Sequence, residues 1–482
     1  MPNSLAYLVL ALWPAVTFGL FRKLPVAPAL LWSLVAAFLI LPTVPTGFDF
    51  PLLPPLHKHS LPALTALVMA LMMHGLRKSI LPDTFLGKVL MLTFILSPVA
   101  TVMTNGEPVR WGEVLHLPGL RMTDAIALTI TQFLIFIPFV LARQYLVEAS
   151  SQRLVLVVFM WAGLVYSLPA LLEVRMSPQL NIWIYGYFQH EFAQTFRFGG
   201  WRPTVFLYHG IWLAFLGMMA LISAAALFKF ETSRKLYFAG ATAWLGVMLV
   251  MYKSLGAMIF GAFLLPVVLL FGVRTQLKIA ALLALLAIGY PVLKAADLFP
   301  SERLLAAASS IDPDRANSLR FRFMNEDVLL ERSGEKAMFG WGSWGRNLIY
   351  NDVTGTVETI TDGRWIIVMG KYGWIGFLAE FGLLVLPIFL LWREARARKS
   401  EDISPFIGPL TLLLAINAVE LVPNATLTPL TWLLSGALMG YAETLRSQRL
   451  GQGNLRSEDL PLREGNSGKR AKWALKWRPV ME

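Results

Sequence analysis

Hydrophobic runs of close to 20 residues recur along the chain, with short polar segments between them. A run of that length is enough to cross a hydrocarbon core of about 30 Å as an α-helix. The pattern predicts an all-α polytopic membrane protein with 12 or 13 transmembrane helices, in which residues 1–445 form the membrane domain. The predicted spans are 4–21, 27–43, 60–76, 87–104, 124–142, 153–173, 204–228, 236–252, 256–273, 277–295, 366–392, 405–422 and 428–445.

Composition supports a membrane protein rather than a large soluble enzyme. Apolar residues make up 56% of the 482 residues, and charged residues only 15%. The net charge of +12 is therefore expected in cytoplasmic loops rather than on a nucleic-acid-binding surface. The chain has no cysteine, and its six histidines form no HExxH-like cluster. We accordingly predict no disulfide, no metal site and no cofactor.

Lys and Arg residues concentrate in one alternate set of short loops, for example at 22–23, 77–78 and 393–399. The positive-inside rule places these loops in the cytoplasm, together with a basic tail at 446–482. We predict that this tail is flexible and attracted to anionic lipid. Two long loops, 174–203 and 296–365, then lie on the outer side, where long loops are typically functional.

The first outer loop carries arginines where the positive-inside rule expects few. Arg197 and Arg202 lie in the segment RFGGWRPTVFLYHG, which ends beside His209 at the mouth of a span. His190 and Glu191 precede them. Arginine forks match phosphate and carboxylate oxygens, so this cluster indicates an anion site. The alternative interpretation is contact with lipid headgroups beside an interfacial belt of aromatic residues.

The second outer loop combines a helical pattern with a glycine-rich segment. The apolar spacing over 315–338 predicts an amphipathic helix on the membrane surface, which carries Arg320 and Arg322. The segment FGWGSWGRN, 339–347, then stops the helix, and its glycines favour positive φ angles or close approach to a ligand. We predict that the loop forms a lid over the site.

Aromatic and charged residues of the same loop are further candidates. Trp341 and Trp344 are predicted to pack or to stack on a sugar, and Arg346 to make a secondary anion contact. Asp362 precedes the return to the membrane, where it either caps the next helix or faces a cavity. Glu380 and Glu420 are carboxylates within spans, and they are either structural partners or functional groups.

Three segments together resemble the O-antigen ligase/polymerase superfamily of Wzy-like membrane glycosyltransferases. They are RFGGWRPTVFLYHG at 197–210, KSLGA at 253–257, and the pattern NSLRFRF…FGWGSWGRN…TDGRW within 317–377. The resemblance covers about 150–430. It implies a GT-C-like helical bundle in the bacterial inner membrane, with a periplasmic active site. The implied reaction is a metal-independent, inverting transfer from an undecaprenyl-diphosphate-linked glycan donor to a glycan acceptor.

The resemblance also implies roles for particular residues. Arg197, Arg202 and Arg322 match the arginines of the family, with Arg320 as the alternative to Arg322. Lys253, in the KSLGA segment, is a further contact for the substrate. We expect the general base to be His209 or Asp362, with Glu191 and His190 as alternatives.

One departure from the family pattern separates the possible functions. Ligases of the superfamily carry a histidine in the long loop, whereas this sequence has no histidine from 210 to 482. We therefore predict a polymerase of lipid-linked repeats, with a chain-length regulator and a flippase as partners. A ligase or protein O-oligosaccharyltransferase using the same donor is the alternative. A transporter of lipid-linked sugar is less expected, because the charges concentrate in two outer loops.

Overall fold

The computed structural model of the protein describes residues 1–50, 53–311 and 313–458. The structure is 70% helical with almost no sheet, which confirms the predicted all-α polytopic membrane fold. The predicted flexible tail begins too early at 446, because the last helix continues to Glu458. The remainder of that tail lies outside the described residues.

Each of the thirteen predicted spans corresponds to a helix. Among the described residues, seven helices are long and apolar enough to cross a membrane, and five shorter apolar helices of 10–17 residues accompany them. In chain order the helices are α1 (Ser4–Lys23), α2 (Val26–Ile40), α3 (Ser60–His74), α4 (Phe85–Met103), α5 (Met122–Tyr145), α6 (Ala149–Met176), α7 (Leu180–Tyr185), α8 (Gly210–Phe230), α9 (Lys235–Met251), α10 (Leu255–Leu270), α11 (Val273–Ala295), α12 (Ser301–Ile311), α13 (Pro313–Gly334), α14 (Arg364–Arg396), α15 (Ile407–Glu420) and α16 (Pro429–Glu458). Helices α7, α12 and α13 belong to the two predicted outer loops.

The loops at one end of the bundle form three antiparallel hairpins. They are β1 (Gly47–Phe48) with β2 (Leu56–His57), β3 (Val109–Trp111) with β4 (Leu115–Leu117), and β5 (Phe196–Arg197) with β6 (Gly200–Trp201). Loops of this end contact one another: the Lys58 ammonium donates to the Phe206 carbonyl at 2.6 Å, and the Arg346 guanidinium to the Pro118 carbonyl at 2.7 Å. We call this end, formed by 41–50, 53–59, 104–121, 177–209, 296–311 and 313–363, the loop face.

The opposite end, which we call the basic face, carries the loops rich in Lys and Arg. Its centre is the fully buried Arg143 of α5, which forms ion pairs with Glu443 at 2.8 Å and Asp83 at 3.1 Å. The same guanidinium donates to the Ser79 carbonyl at 2.6 Å. Removing one partner of a buried pair of this kind costs about 3–5 kcal/mol. These contacts therefore hold α5, α16 and the loop before α4 together.

The helix predicted to begin at 204 begins at Gly210 instead. The backbone N–H groups of Thr204 and Val205 donate to the Glu173 carboxylate at 2.8 and 2.7 Å. The Gln189 side chain donates to the carbonyls of Val205 and Leu207 at 3.0 and 2.9 Å. Because side chains of other segments satisfy these backbone groups, residues 204–209 stay non-helical although they are buried or half-buried.

Helix α14 is broken at Gly373, which has φ 65° and ψ −167°. The break leaves the carbonyls of Gly370 and Lys371 without helical partners, and the N–H groups of Trp341 and Gly342 donate to them at 2.8 and 2.9 Å. In return, the Trp374 N–H donates to the Ala337 carbonyl at 2.8 Å. Non-helical backbone at membrane depth is tolerated only where protein satisfies it in this way.

The glycine-rich segment 339–347 is part of this junction. Its glycines 340, 342 and 345 have φ angles of 69°, 86° and 80°, as the sequence predicts. The segment is also tied to α4, because Thr101 donates to the Phe339 carbonyl at 2.6 Å and Asn105 to the Gly340 carbonyl at 2.8 Å. The prediction that 339–347 is an adaptable part of a lid is therefore wrong. The segment instead anchors the long loop to α4 and α14. The predicted amphipathic helix before it is confirmed as α13.

Replacing Gly373 by alanine is expected to destabilise the protein. A Cβ at this position would lie 2.3 Å from the Met338 carbonyl oxygen, and its positive φ disfavours any side chain by about 1–2 kcal/mol. Thermal unfolding of the purified protein in detergent should show a lower midpoint for Gly373→Ala than for the wild type. The matched control is Gly289→Ala in α11, where a Cβ meets no atom within 4 Å. Equal midpoints for the two variants would contradict the role of the junction.

Candidate active site

The arginines of the RFGGWR motif lie on and beside the hairpin β5–β6. Arg197 pairs with Gly200 across the hairpin, and the turn residues Phe198 and Gly199 have φ angles of 51° and 69°. Two consecutive positive φ angles are typical of a tight two-residue hairpin turn. The hairpin leaves Arg197 exposed and directs the chain so that Arg202, which follows β6, is buried.

Arg202 is a buried cation with an unfilled hydrogen-bonding position. Its side chain is only 5% exposed, and its Nε has no hydrogen-bond partner among the described residues. The stem packs on Gly210, where a Cβ would lie 2.7 Å from Nε. Burial, reinforced by Arg197 and opposed by Glu420, lowers the pKa of Arg202 to about 10. The guanidinium therefore remains charged at neutral pH.

His209 caps the N-terminus of α8, beside Arg202. Its Nδ1 accepts the Ile211 N–H at 3.0 Å, and its ring lies 4.9 Å from that of His190. Burial lowers the pKa of His209 to about 3, with Arg202 and His190 adding to the effect. A neutral ring whose Nδ1 accepts carries its proton on Nε2. This geometry favours a hydrogen-bond donor over the general base that the sequence predicts.

Lys253 approaches the same hairpin from the turn between α9 and α10. A Cβ on Gly200 would lie 2.1 Å from the Lys253 Nζ, so the glycine leaves the space that the ammonium occupies. Lys253 itself has a φ of 51°, which is rare for a residue with a side chain. The strained turn thus places a further cation beside Arg197 and Arg202.

Glu420, at the end of α15, supplies a buried carboxylate. It is 5% exposed, and its Oε1 accepts the Asn424 amide N–H at 2.9 Å. Its Oε2 accepts no hydrogen bond from any described residue, and Arg202 and Arg322 both act on it electrostatically. Sequence reasoning left the role of Glu420 open; the signal was a carboxylate inside an apolar span. The other such carboxylate, Glu380, is a structural partner that holds Arg364 at 2.6 and 2.7 Å.

The long loop reaches the site through Arg322 of α13. Its guanidinium forms an ion pair with Asp362 at 3.3 Å, and the two side chains are 41% and 40% exposed. Asp362 is thus engaged with a cation and does not cap α14, whose N-cap is Gly363. Arg320, two residues earlier on α13, is exposed.

Arg346 has a structural role, which corrects its predicted anion contact, and Trp341 packs within the protein, which is the first of its two predicted alternatives. Arg346 is 1% exposed, and its guanidinium donates to the carbonyls of Trp341, Pro118 and Glu107 at 3.1, 2.7 and 2.9 Å. Trp341 donates from Nε1 to the Arg332 carbonyl at 2.7 Å, and the Arg332 guanidinium lies 3.4 Å from its ring centroid. Both side chains are buried and are already bound by other groups of the protein, so neither is available to a ligand.

Two other predicted residues lie on the surface. Glu191 is exposed, and its carboxylate accepts a hydrogen bond from Gln194 at 2.8 Å. Trp344 is 55% exposed, with a φ of 59°. The structure records no contact of either side chain with Arg202.

The assembled site is rich in positive charge. Its cations are Arg197, Arg202, Lys253 and Arg322, and its carboxylates are Glu420 and Asp362. Such a site suits a ligand with several negative oxygens, and it also holds a carboxylate able to accept a proton. Among the described residues, no three His, Asp or Glu side chains come together as a metal site. Neither a protein-family model nor a curated protein matches the chain.

The lowered pKa of His209 predicts a specific loss of stability in acid. Unfolding returns His209 to a pKa near 6.5, so the unfolded state binds a proton between pH 6.5 and about 3 that the folded state does not. Over this window the free energy of unfolding should fall by up to about 1.4 kcal/mol per pH unit. The variant His209→Asn keeps an N-cap acceptor but removes the titration, so its stability should fall less steeply than that of the wild type.

The measurement is chemical unfolding of the purified protein at pH 7, 6, 5 and 4. His116→Asn, at an exposed position on β4, controls for the loss of a histidine as such. A His209→Asn protein with the acid sensitivity of the wild type would show that the ring is not held neutral.

Proposed function

We propose that the protein is a membrane glycosyltransferase that polymerises oligosaccharide repeats carried on undecaprenyl diphosphate. The observation that carries the proposal is the buried guanidinium of Arg202, whose Nε lacks a partner in the described structure. Burying a charged group is costly unless an anion and hydrogen bonds complete its surroundings. A lipid diphosphate supplies several negative oxygens, and the resemblance to the O-antigen ligase/polymerase superfamily points to the same ligand.

The reaction follows from the placement of the charges. An acceptor hydroxyl oxygen forms a bond to the anomeric carbon of the donor sugar, and the bond from that carbon to the diphosphate oxygen breaks with its electron pair. Attack opposite the leaving group inverts the anomeric configuration. Arg202, with Arg197 and Lys253 beside it, stabilises the negative charge on the departing diphosphate.

Glu420 is the general base of the proposed reaction. One of its carboxylate oxygens is oriented by Asn424, and the other accepts no hydrogen bond from a described residue. The hydroxyl proton passes to that free oxygen. His209 donates from Nε2 to a diphosphate oxygen, and Arg322, paired with Asp362, brings the long loop onto the bound donor.

The proposal places the loop face on the periplasmic side of the bacterial inner membrane. The basic face carries the loops richest in Lys and Arg, which favours the cytoplasmic side for them. A transporter would have to open the basic face, where the contacts of Arg143 with Glu443 and Asp83 would have to break. The cost of breaking these contacts favours an enzyme that acts at one face over a transporter. The absence of histidine from 210 to 482 favours polymerase over ligase.

Single substitutions test the site in cells. Arg202→Gln removes the positive charge that stabilises the departing diphosphate. Glu420→Gln removes the base and keeps the size of the side chain. We expect each to lower the transfer rate by about 10²-fold or more. In a deletion strain complemented with each variant, long surface polysaccharide should disappear and single repeats should accumulate on the lipid carrier.

The control is Arg175→Gln, which removes an exposed arginine from the end of α6 at the loop face. Membrane levels of all variants are measured by immunoblot. Polymer of normal length from both Arg202→Gln and Glu420→Gln would refute the site. Long chains stranded on the lipid carrier would identify a ligase, and repeats confined to the cytoplasmic side would identify a flippase.

A third variant tests whether the position of Arg202 matters as well as its charge. Gly210→Ala would put a Cβ 2.7 Å from the Arg202 Nε and displace the guanidinium, although no charge is lost. We expect the same shift from polymer to single repeats as with Arg202→Gln, to a smaller extent. Gly240→Ala in α9, where a Cβ meets nothing within 4 Å, is the matched control and should retain normal polymer. Polymer of normal length from Gly210→Ala would contradict the geometric argument.

A further inference from the structure

A second cavity lies near the loop face, outside the arginine cluster. It has a volume of about 130 Å³, and its polar lining residues are His57, His59, Arg364, Thr428 and Trp432. Most of the lining surface is apolar, because Ile135 and Pro138 of α5 and the loop residues around Leu427 complete it. The cavity is bounded by the start of α3, α5, the start of α14 and the loop that leads into α16. A cavity of this size has room for several ordered waters or for a small ligand that displaces them.

The lining presents polar atoms that no described residue satisfies. Trp432 is 1% exposed, yet its Nε1 has no hydrogen-bond partner, and the buried Nδ1 of His59 has none either. Arg364 uses Nε and Nη2 on Glu380, and its Nη1 donates to no described residue. Buried polar atoms without partners are rare in folded proteins, and the two on lining residues, His59 Nδ1 and Trp432 Nε1, favour a ligand that forms hydrogen bonds.

The hydrogen-bonding character of the cavity is mixed. His57 Nδ1 accepts the His59 N–H at 3.2 Å, so a neutral His57 ring carries its proton on Nε2 and donates from there. Burial lowers the pKa of His59 well below its usual range, with His57 and Lys58 adding to the effect, so that this ring is neutral too. Donors therefore come from Trp432, Arg364 and His57 Nε2, and the His59 Nδ1 without a partner can accept.

The charge of the cavity distinguishes it from the arginine cluster. The one guanidinium in its lining, that of Arg364, is held by both oxygens of Glu380, at 2.6 and 2.7 Å. Arg202, in contrast, has no such carboxylate pair. The cavity therefore favours a neutral ligand with hydroxyl groups over a phosphate.

A continuous row of rings joins the cavity to the proposed catalytic site. Neighbouring ring centroids are 5.8 Å apart for His57 and His59, and 5.6 Å for His59 and Trp212. The row continues from Trp212 to Tyr208 at 6.1 Å, from Tyr208 to His190 at 5.1 Å, and from His190 to His209 at 4.9 Å. We call these six residues the ring row. These rings contact one another at interplanar angles of 43–83°, so the row is a packed aromatic connection between the two places.

From these observations we propose that the cavity is a saccharide subsite, which binds a sugar ring through its hydroxyl groups. Resting on the proposed function, it takes a sugar of the acceptor glycan, and the ring row connects it to the proposed catalytic site. The donor diphosphate occupies the arginine cluster at the other end of the row. The two substrates are thereby recognised by different chemistry: the diphosphate by unpaired positive charge, and the acceptor by neutral hydrogen-bonding groups.

The test measures sugar binding directly, without turnover. The full chain in lipid nanodiscs is titrated with the methyl glycosides of glucose, galactose, N-acetylglucosamine and glucuronic acid, and binding is followed by saturation-transfer NMR. At least one neutral glycoside should bind the wild type. Trp432→Phe removes the Nε1 donor, and His59→Phe removes the Nδ1 acceptor while it keeps a ring. Each should weaken binding by about tenfold or more.

The matched control is Trp161→Phe, the same chemical change at a ring that is 44% exposed on α6. Two different variants guard against a folding defect in one of them, and thermal midpoints are recorded for each. The proposal falls if none of the four glycosides binds the wild type, or if both cavity variants bind like Trp161→Phe. Binding of the glucuronide alone would mean an anion site and would also overturn it.

The outcome is separable from that of the proposed function. If Arg202→Gln and Glu420→Gln abolish polymer but no glycoside binds, the glycosyltransferase proposal stands and the subsite proposal is wrong. If a neutral glycoside binds and the cavity variants lose it while both catalytic variants keep normal polymer, the saccharide site stands and the proposed catalytic site at Arg202 and Glu420 is wrong.

Discussion

Backbone groups within a membrane must find protein partners, and the break of α14 at Gly373 is where this constraint governs the architecture. An unsatisfied N–H or carbonyl in hydrocarbon costs several kcal/mol. The carbonyls of Gly370 and Lys371 accept the N–H groups of residues 341 and 342. The glycine-rich segment is therefore bound to the membrane domain by its main chain. The position of α13, and of the Arg322 that it carries, depends on this junction.

The two ends of the bundle differ in whether a buried arginine has partners within the protein. At the basic face, Arg143 is surrounded by two carboxylates and backbone carbonyls, so its charge is compensated within the protein. At the loop face, Arg202 keeps a buried Nε without a partner and lies beside further cations. The first arrangement closes one end of the molecule. The second leaves a buried guanidinium nitrogen without a partner, and the proposed chemistry is assigned to that end.

Arginines of similar appearance in the sequence have different roles for physical reasons. Arg202 and Arg346 both follow glycine and tryptophan in loops of the loop face. Four backbone carbonyls from two loops converge on Arg346 and accept from its guanidinium. The side chain of Arg202 instead packs on Gly210, and its buried Nε donates to no described residue. His209 shows the same effect, because the N-terminus of α8 takes its Nδ1 and leaves only a donor.

The sequence by itself determined the helices and the glycine turns, because hydropathy and the preference for positive φ are properties of a short stretch of chain. The helices at the predicted spans, the helix α13 and the φ angles of glycines 340, 342 and 345 all follow from local pattern. Only the tertiary structure decided which polar groups have partners. Arg143 and Glu443 are 300 positions apart, and Arg346 and Pro118 are 228 apart. Pairing over such separations depends on how the helices pack, which no local pattern encodes.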